Sequence, residues 1–296
     1  MSKSFCLINN KFTEKISIMD RGFSYGDGFF ETMIWEHLGG NVKPTLKVQY
    51  WKRHIQRIKD GCRLMQIKFP DYKTLINQRN KILGKSFNSG MKEGILKLII
   101  TRGPGGRGYK FEKNMRSTLA FLSFHKTNQP DIFFEKGIDL TYCKTKLYVN
   151  DRLSGLKHLN RLDSVLARSE WDDEYFDGVF LDIDENLVEG TMTNIFFVKK
   201  DVLITPPIAG AGISGIMRSV VMEKAKLFFK EVLVRKINKK SIDNFDQMFV
   251  TNSVIKVLPV KSLNKKQFKI CENVKNLISF LNPTKRIFKI KNLEIL

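Results

Sequence analysis

Gly155-Leu-Lys157-His-Leu-Asn160-Arg161-Leu-Asp-Ser-Val-Leu-Ala-Arg168 sets a glycine-flanked lysine directly ahead of an amphipathic segment. The spacing predicts a helix over Leu162–Trp171, with Leu162, Val165 and Leu166 facing a core. A lysine where a loop or strand gives way to a helix can be projected into a cleft. There a neutral amine attacks a carbonyl to form a Schiff base, and a desolvated cationic site lowers its pKa from about 10.4. Alone the signal is weak, because most of the 51 Lys and Arg residues are expected to be solvated.

Four other segments carry polar groups in suggestive places. Glu189, in Val188-Glu189-Gly-Thr-Met-Thr-Asn194-Ile-Phe-Phe-Val198, precedes a largely apolar strand. A carboxylate there could hold a pyridine nitrogen protonated; it could equally be a surface glutamate at a strand edge. Thr205-Pro-Pro-Ile-Ala-Gly-Ala-Gly212-Ile213-Ser214-Gly215-Ile216-Met217-Arg218 runs small residues into a helix that should begin near Ser214. Glycines admit close backbone approach and a helix N-terminus favours an anion, so this segment can cradle a phosphate or simply enter a helix. Neither GxGxxG nor GxxxxGK[ST] is present. Arg57, in His54-Ile-Gln-Arg57-Ile, should lie beside an apolar helix stripe and could grip a phosphate bidentately. Thr101-Arg102-Gly-Pro-Gly-Gly-Arg107-Gly-Tyr109 offers two guanidinium groups and a phenol on a flexible loop, which could meet a carboxylated substrate or be a basic turn.

Strand-like runs occur at Phe5–Ile8, Phe29–Trp35, Ile95–Thr101 and Leu119–Phe124. Between them Trp51, Ile55, Ile58, Cys62 and Met65 recur at helical spacing, and a second helix after Pro70 should turn Tyr72, Leu75 and Ile76 inward. This describes a small α+β domain over 1–124, with the polar, proline-terminated stretch 125–130 as linker. Residues 131–296 read as a larger, β-rich α+β domain. Its strands are expected near Ile138–Cys143, Gly178–Ile183, Asn194–Val198, Val202–Thr205, Glu231–Arg235 and Met248–Val250, and its further helices at Ile216–Phe229 and Val274–Leu281.

The composition of the 296 residues, 42% hydrophobic and 27% charged, is globular. No apolar run reaches the roughly 18 residues of a membrane span, and the first residues carry no signal-peptide core, so a cytoplasmic protein is expected. Cysteines 6, 62, 143 and 271 are too far apart for a metal knuckle and lie among apolar residues. Buried free thiols are expected, and no metal. A net charge of +21, with nine Lys/Arg between Lys261 and Leu296, invites a nucleic-acid reading. Aromatics are sparse there and no nucleic-acid-binding signature appears, so solvated lysines are the better account.

The order and spacing of these segments resemble one family. Asp20-Arg21-Gly22-Phe-Ser-Tyr25-Gly26-Asp27-Gly28-Phe-Phe-Glu31-Thr32 matches the N-terminal signature of fold-type IV pyridoxal-phosphate enzymes, the class IV aminotransferase group. The resemblance runs from about residue 4 to about residue 280. Within the group, Gly-Leu-Lys157-His158-Leu-Asn160-Arg161 and Arg102–Tyr109 look like aminodeoxychorismate lyases; branched-chain aminotransferases typically carry tyrosine where Arg161 stands. The resemblance implies a two-domain α+β fold with pyridoxal 5'-phosphate in the cleft between the domains, and a homodimer. It implies that Lys157 carries the cofactor as a Schiff base and moves the substrate proton, and that Glu189 partners the pyridine nitrogen. Arg57, Ser214, Gly215, Ile216, Met217 and Ser253 would hold the phosphate, and Arg107, Tyr109 and Asn160 would face the substrate. The implied reaction releases 4-aminobenzoate and pyruvate from 4-amino-4-deoxychorismate; D-amino-acid or branched-chain amino transfer is the alternative within the fold. Glu31 and the basic tail after Pro283 depart from the family pattern.

Overall fold

The computed structural model describes residues 4–39 and 44–282, so the basic tail after Pro283 lies outside the described residues. The chain forms two compact units, Met1–Asn128 with Leu156–Asn160, and Gln129–Gly155 with Arg161–Leu296.

Among the described residues, the first unit is built on an antiparallel sheet. Its strands are β1 (Phe5–Ile8), β2 (Lys11–Phe12), β3 (Gly28–His37), β4 (Leu46–Val48), β5 (Glu93–Thr101) and β6 (Thr118–Phe124), in the order β2-β1-β6-β5-β3-β4. Alternation along β5 buries Leu96, Leu98 and Ile100, which join Phe29, Met33, Trp35, Leu119 and Phe121 in one core. Two helices supply the other half of that core. Helix α2 (Trp51–Leu64) buries Trp51, Ile55, Ile58 and Cys62 along the expected stripe, and His54 with them. Helix α3 (Tyr72–Asn88) starts at Asp71, whose carboxylate accepts from Thr74 N. Leu75 faces the core as expected, but Tyr72 does not: the first turn of α3 leaves it more than half exposed.

The short helix α1 (Arg21–Tyr25) is capped by Asp20 and closed by Gly26 at φ 62, a left-handed conformation that suits glycine. Gly28 then opens β3 so close to β5 that a Cβ would stand 2.4 Å from the Ile100 carbonyl oxygen.

The second unit holds β7 (Ile138–Tyr142), β8 (Asp177–Leu181), β9 (Leu187–Gly190), β10 (Asn194–Lys199), β11 (Val202–Thr205), β12 (Glu231–Val234), β13 (Gln247–Asn252), β14 (Lys256–Leu263) and β15 (Lys266–Gln267). They form one mixed sheet in the order β12-β11-β10-β13-β14-β7-β8-β9, with β15 on β14. The pairs β11–β12, β14–β7 and β7–β8 are parallel. Phe196 and Phe249 stack across β10 and β13 at 4.9 Å. Helices α4 (Asp131–Lys136), α6 (Ile216–Lys224) and α7 (Glu272–Leu281) accompany the sheet. Among the described residues no helix is long and apolar enough to cross a membrane, and no group of His, Cys, Asp and Glu could hold a metal ion.

Three expectations are corrected here. Helix α5 (Leu162–Arg168) is shorter than expected, and it buries Ala167 while leaving Leu162 80% exposed and Val165 and Leu166 64% and 60% exposed. Its apolar stripe is real but does not enter the core of its own unit. Cys62 and Cys143 are buried thiols, whereas Cys6 is half-buried and Cys271 exposed at the N-cap of α7. Burial pushes the Cys62 thiol up to about 12.

Phe121→Ala, at a fully buried position of the first unit's core, should cost about 3–5 kcal/mol in urea unfolding. Tyr72→Ser, on the exposed turn, should change stability by no more than about 0.5 kcal/mol.

Candidate active site

Lys157 is carried by the first unit as a short added strand. Phe30 N donates to the Lys157 carbonyl at 3.0 Å and Leu159 N to the Gly28 carbonyl at 3.0 Å, with a bridge between Phe29 and His158. Asn160 closes the segment by donating Nδ2 to the Gly26 carbonyl at 3.1 Å, which makes its amide part of the scaffold. The Lys157 ammonium lies 4.4 Å from the Phe30 ring centroid, and Lys97 Nζ lies 5.2 Å from the same ring. Two cations therefore flank one half-buried aromatic side chain. Nothing in the sequence singles out Lys97; its register opposite Thr32 is what brings it here.

Glu31 is the centre of a buried ion cluster. Arg57 donates Nε to Glu31 Oε1 at 2.7 Å and Nη2 to Oε2 at 2.6 Å, and His54 Nδ1 stands 2.6 Å from Oε2. Burial alone would raise the Glu31 carboxyl, but Arg57 and His54 outweigh it and hold it at about 2. Burial pushes the His54 imidazole down despite its contact with Glu31, and the Lys157 charge adds to that. Because the ionised carboxylate can only accept, the ring must turn a protonated Nδ1 toward it. Arg57 thus lies beside the apolar stripe as expected, with its fork on a carboxylate.

The Thr101–Tyr109 loop divides into a buried root and an exposed tip. Arg102, expected to be available to a ligand, is instead buried: its Nε and Nη2 donate to Asp27 and it also reaches the Met65 and Gln66 carbonyls. Arg107 is exposed, and Tyr109 is 86% exposed.

The second unit holds Glu189 on β9, buried rather than at a surface edge. Its Oε2 accepts from Ile213 N at 2.8 Å and from Asn194 Nδ2 at 3.1 Å; the same amide donates to the Ile213 carbonyl at 2.9 Å. Asn194, to which no local pattern points, locks the carboxylate to the Ile213 backbone. The fit is close enough that a Cβ on Gly215 would stand 1.9 Å from Asn194 Oδ1. Arg161 and Arg218 both interact electrostatically with Glu189, and burial pushes each guanidinium down. Around the corner, buried Asp177 accepts from Thr191 and Thr193 and so shapes the turn that follows Glu189.

Helix α6 begins at Ile216, as expected, with Gly215 as its N-cap, but it ends at Lys224 and passes into a 3-10 turn over Ala225–Leu227 rather than running on to Phe229. Ser214 N donates to the Gly155 carbonyl at 3.0 Å, so its amide belongs to the scaffold. The first-turn amides of Ile216 and Met217 have no intrahelical acceptor by the geometry of a helix start and can meet an anion. Ser253 sits in the turn between β13 and β14, where Asn252 orders the backbone and donates to the Met192 carbonyl at 3.2 Å.

The Glu31 cluster sets an acid dependence. Its folded pKa of about 2 lies below the ordinary glutamate value of about 4.3. Its contribution is therefore complete above about pH 4.3 and is lost as pH falls through about 2. Glu31→Gln should cost about 3–5 kcal/mol at pH 7, since it leaves a buried guanidinium uncompensated. In urea titrations the deficit should shrink as the pH is lowered from about 4.3 towards 2.

Residues 28–263 match the family described as amino-transferase class IV. The chain is 30% identical over 256 residues to an aminodeoxychorismate lyase of Vibrio harveyi, covering 86% of this chain and 90% of that one. It is 32% identical over 255 residues to a branched-chain-amino-acid aminotransferase of Escherichia coli, covering 84% and 80%. The crystal structure of 4-amino-4-deoxychorismate lyase from Pseudomonas aeruginosa superposes with a TM-score of 0.83 at 30% identity, covering 94% of this chain and 98% of that one. With a match that spans most of its length and both units, the chain belongs to the class IV aminotransferase family of fold-type IV enzymes.

Proposed function

We propose that this enzyme is a pyridoxal-phosphate-dependent lyase that splits 4-amino-4-deoxychorismate into 4-aminobenzoate and pyruvate. The family is pyridoxal-phosphate-dependent, and the donor set fits that group. A primary amine, a buried carboxylate held by two donors, and a helix N-terminus match the cofactor's aldehyde, ring nitrogen and phosphate. When bound, pyridoxal phosphate supplies an electron sink for the bond-breaking step.

Lys157 carries the cofactor at rest and afterwards moves a proton. Its Nζ takes the proton from the amino-bearing C4 of the substrate ring, the bond from C3 to the enolpyruvyl oxygen breaks, and aromatisation drives the release. Glu189 partners the ring nitrogen, with Asn194 and Ile213 holding its carboxylate. Ile216 and Met217 amides, the Gly215 entry, the Ser214 and Ser253 region and the Arg57 charge serve the phosphate. Asn160 fixes the segment that bears Lys157. Arg107 and Tyr109 face the two carboxylates, and a homodimer is the working assembly.

The observation that carries the lyase reading is Arg161 standing directly after Lys157-His-Leu-Asn, where branched-chain aminotransferases typically carry tyrosine; the exposed Arg107 and Tyr109 of the first unit are read separately as donors to the substrate carboxylates. The similarity to the Escherichia coli aminotransferase keeps amino transfer as the second reading. Supplying aminodeoxychorismate should yield pyruvate and 4-aminobenzoate, whereas efficient turnover of D-alanine or L-leucine with 2-oxoglutarate, and none of the chorismate derivative, would reject the lyase. Borohydride-reduced cofactor should map to Lys157, and Lys157→Ala should lose turnover almost completely. Glu189→Gln should bind cofactor yet turn over much more slowly; an unchanged kcat would remove it from the mechanism.

A further inference from the structure

The Asp20–Asp27 segment directs its side chains at one loop. Arg21 Nε donates to Asp27 Oδ2 at 3.0 Å, and Arg102 takes both oxygens of that carboxylate at 2.7 and 3.0 Å. Held this way, Arg21 extends Nη1 to the Gly108 carbonyl at 2.8 Å and Nη2 to the Tyr109 carbonyl at 3.3 Å. Tyr25 Oη accepts from Gly108 N at 3.0 Å, and its ring lies 5.7 Å from that of Tyr109. Gly105 is glycine where a Cβ would press on the Arg21 side chain at 2.9 Å.

A pairing made for stability alone would match one guanidinium to one carboxylate, or replace both by apolar groups. Here two buried guanidinium groups share Asp27, and the surplus donors of Arg21 go to carbonyls flanking an exposed tip. With a longer contact from Nη1 to the Gly106 carbonyl at 3.5 Å, Arg21 holds the backbone on both sides of Arg107 and at Tyr109, the two residues whose side chains are exposed. We infer that Arg21, oriented by Asp27 and seconded by Tyr25, is a positioning residue: it fixes the Gly108–Tyr109 backbone and so the direction in which Arg107 and Tyr109 meet an anionic substrate. This rests on the reading of that tip as substrate-facing.

The test uses the holoenzyme. Arg21→Lys keeps the charge and loses the fork. It should raise KM for aminodeoxychorismate about tenfold, with kcat and the cofactor absorbance unchanged, and raise tryptic cleavage at Arg107 and Lys110 about tenfold. Tyr25→Phe, which removes one hydroxyl, should do both more mildly and carries the test if Arg21→Lys does not fold. In an Arg107→Ala background, Arg21→Lys should add little further to KM, because both act on one contact. Unchanged cleavage in both variants overturns the inference, as does a KM raised by Arg107→Ala but untouched by Arg21→Lys. If Arg107→Ala itself leaves KM unchanged while Arg21→Lys speeds cleavage, the substrate reading of the tip fails and the anchoring stands.

Discussion

Phe30 and Leu159 each give a main-chain hydrogen bond across the Lys157 segment, and these bonds place the lysine before its side chain makes any contact. The pairing is possible because Gly28 lets β3 run against both the Ile100 carbonyl and the Leu159 side chain, which a Cβ would meet at 2.4 and 3.0 Å. Gly26 plays a matching part, turning the chain in a left-handed conformation and accepting from Asn160. The start of β3, part of the N-terminal signature, thus runs between β5 on one side and the lysine segment on the other. A larger residue at position 28 would dislodge the reactive amine without touching it.

Around this backbone frame the first unit buries several charges. Glu31 is shared by Arg57 and His54, and Asp27 by Arg21 and Arg102. Removing a carboxylate from water costs several kcal/mol, offset only by well-aligned donors. Each carboxylate is taken by a planar guanidinium fork, Arg57 at Glu31 and Arg102 at Asp27, which loses little freedom on binding. The second unit treats Glu189 differently, with a backbone amide, a side-chain amide and the charges of Arg161 and Arg218 acting on it.

The sequence made α2 legible because its stripe has one period and no breaker, and the long antiparallel strands because their apolar residues alternate. It hid β14, since Pro259 argues against a central strand. The structure accommodates the proline where β14 pairs with β13 only, the pairing with β7 starting at Val260. Periodicity also revealed the apolar face of α5 without saying what it faces. Lys157, Glu189 and the glycine segment were visible as residue types in order; their partners were not. Asn194, Lys97 and His54 act through register and packing across distant segments, which no local pattern encodes. Arg102 shows the converse, a residue whose composition suggested a ligand and whose surroundings make it a brace.

The bond from Ile213 to Glu189 Oε2 joins a main-chain amide to the carboxylate that we propose partners a pyridine nitrogen. An amide proton so bonded has a chemical shift that follows the electron density on its acceptor. The Ile213 resonance therefore offers a native spectroscopic probe of the charge on Glu189, observable without labelling the side chain or altering the site. Because Asn194 clamps the neighbouring Ile213 carbonyl, that signal would report charge rather than backbone drift.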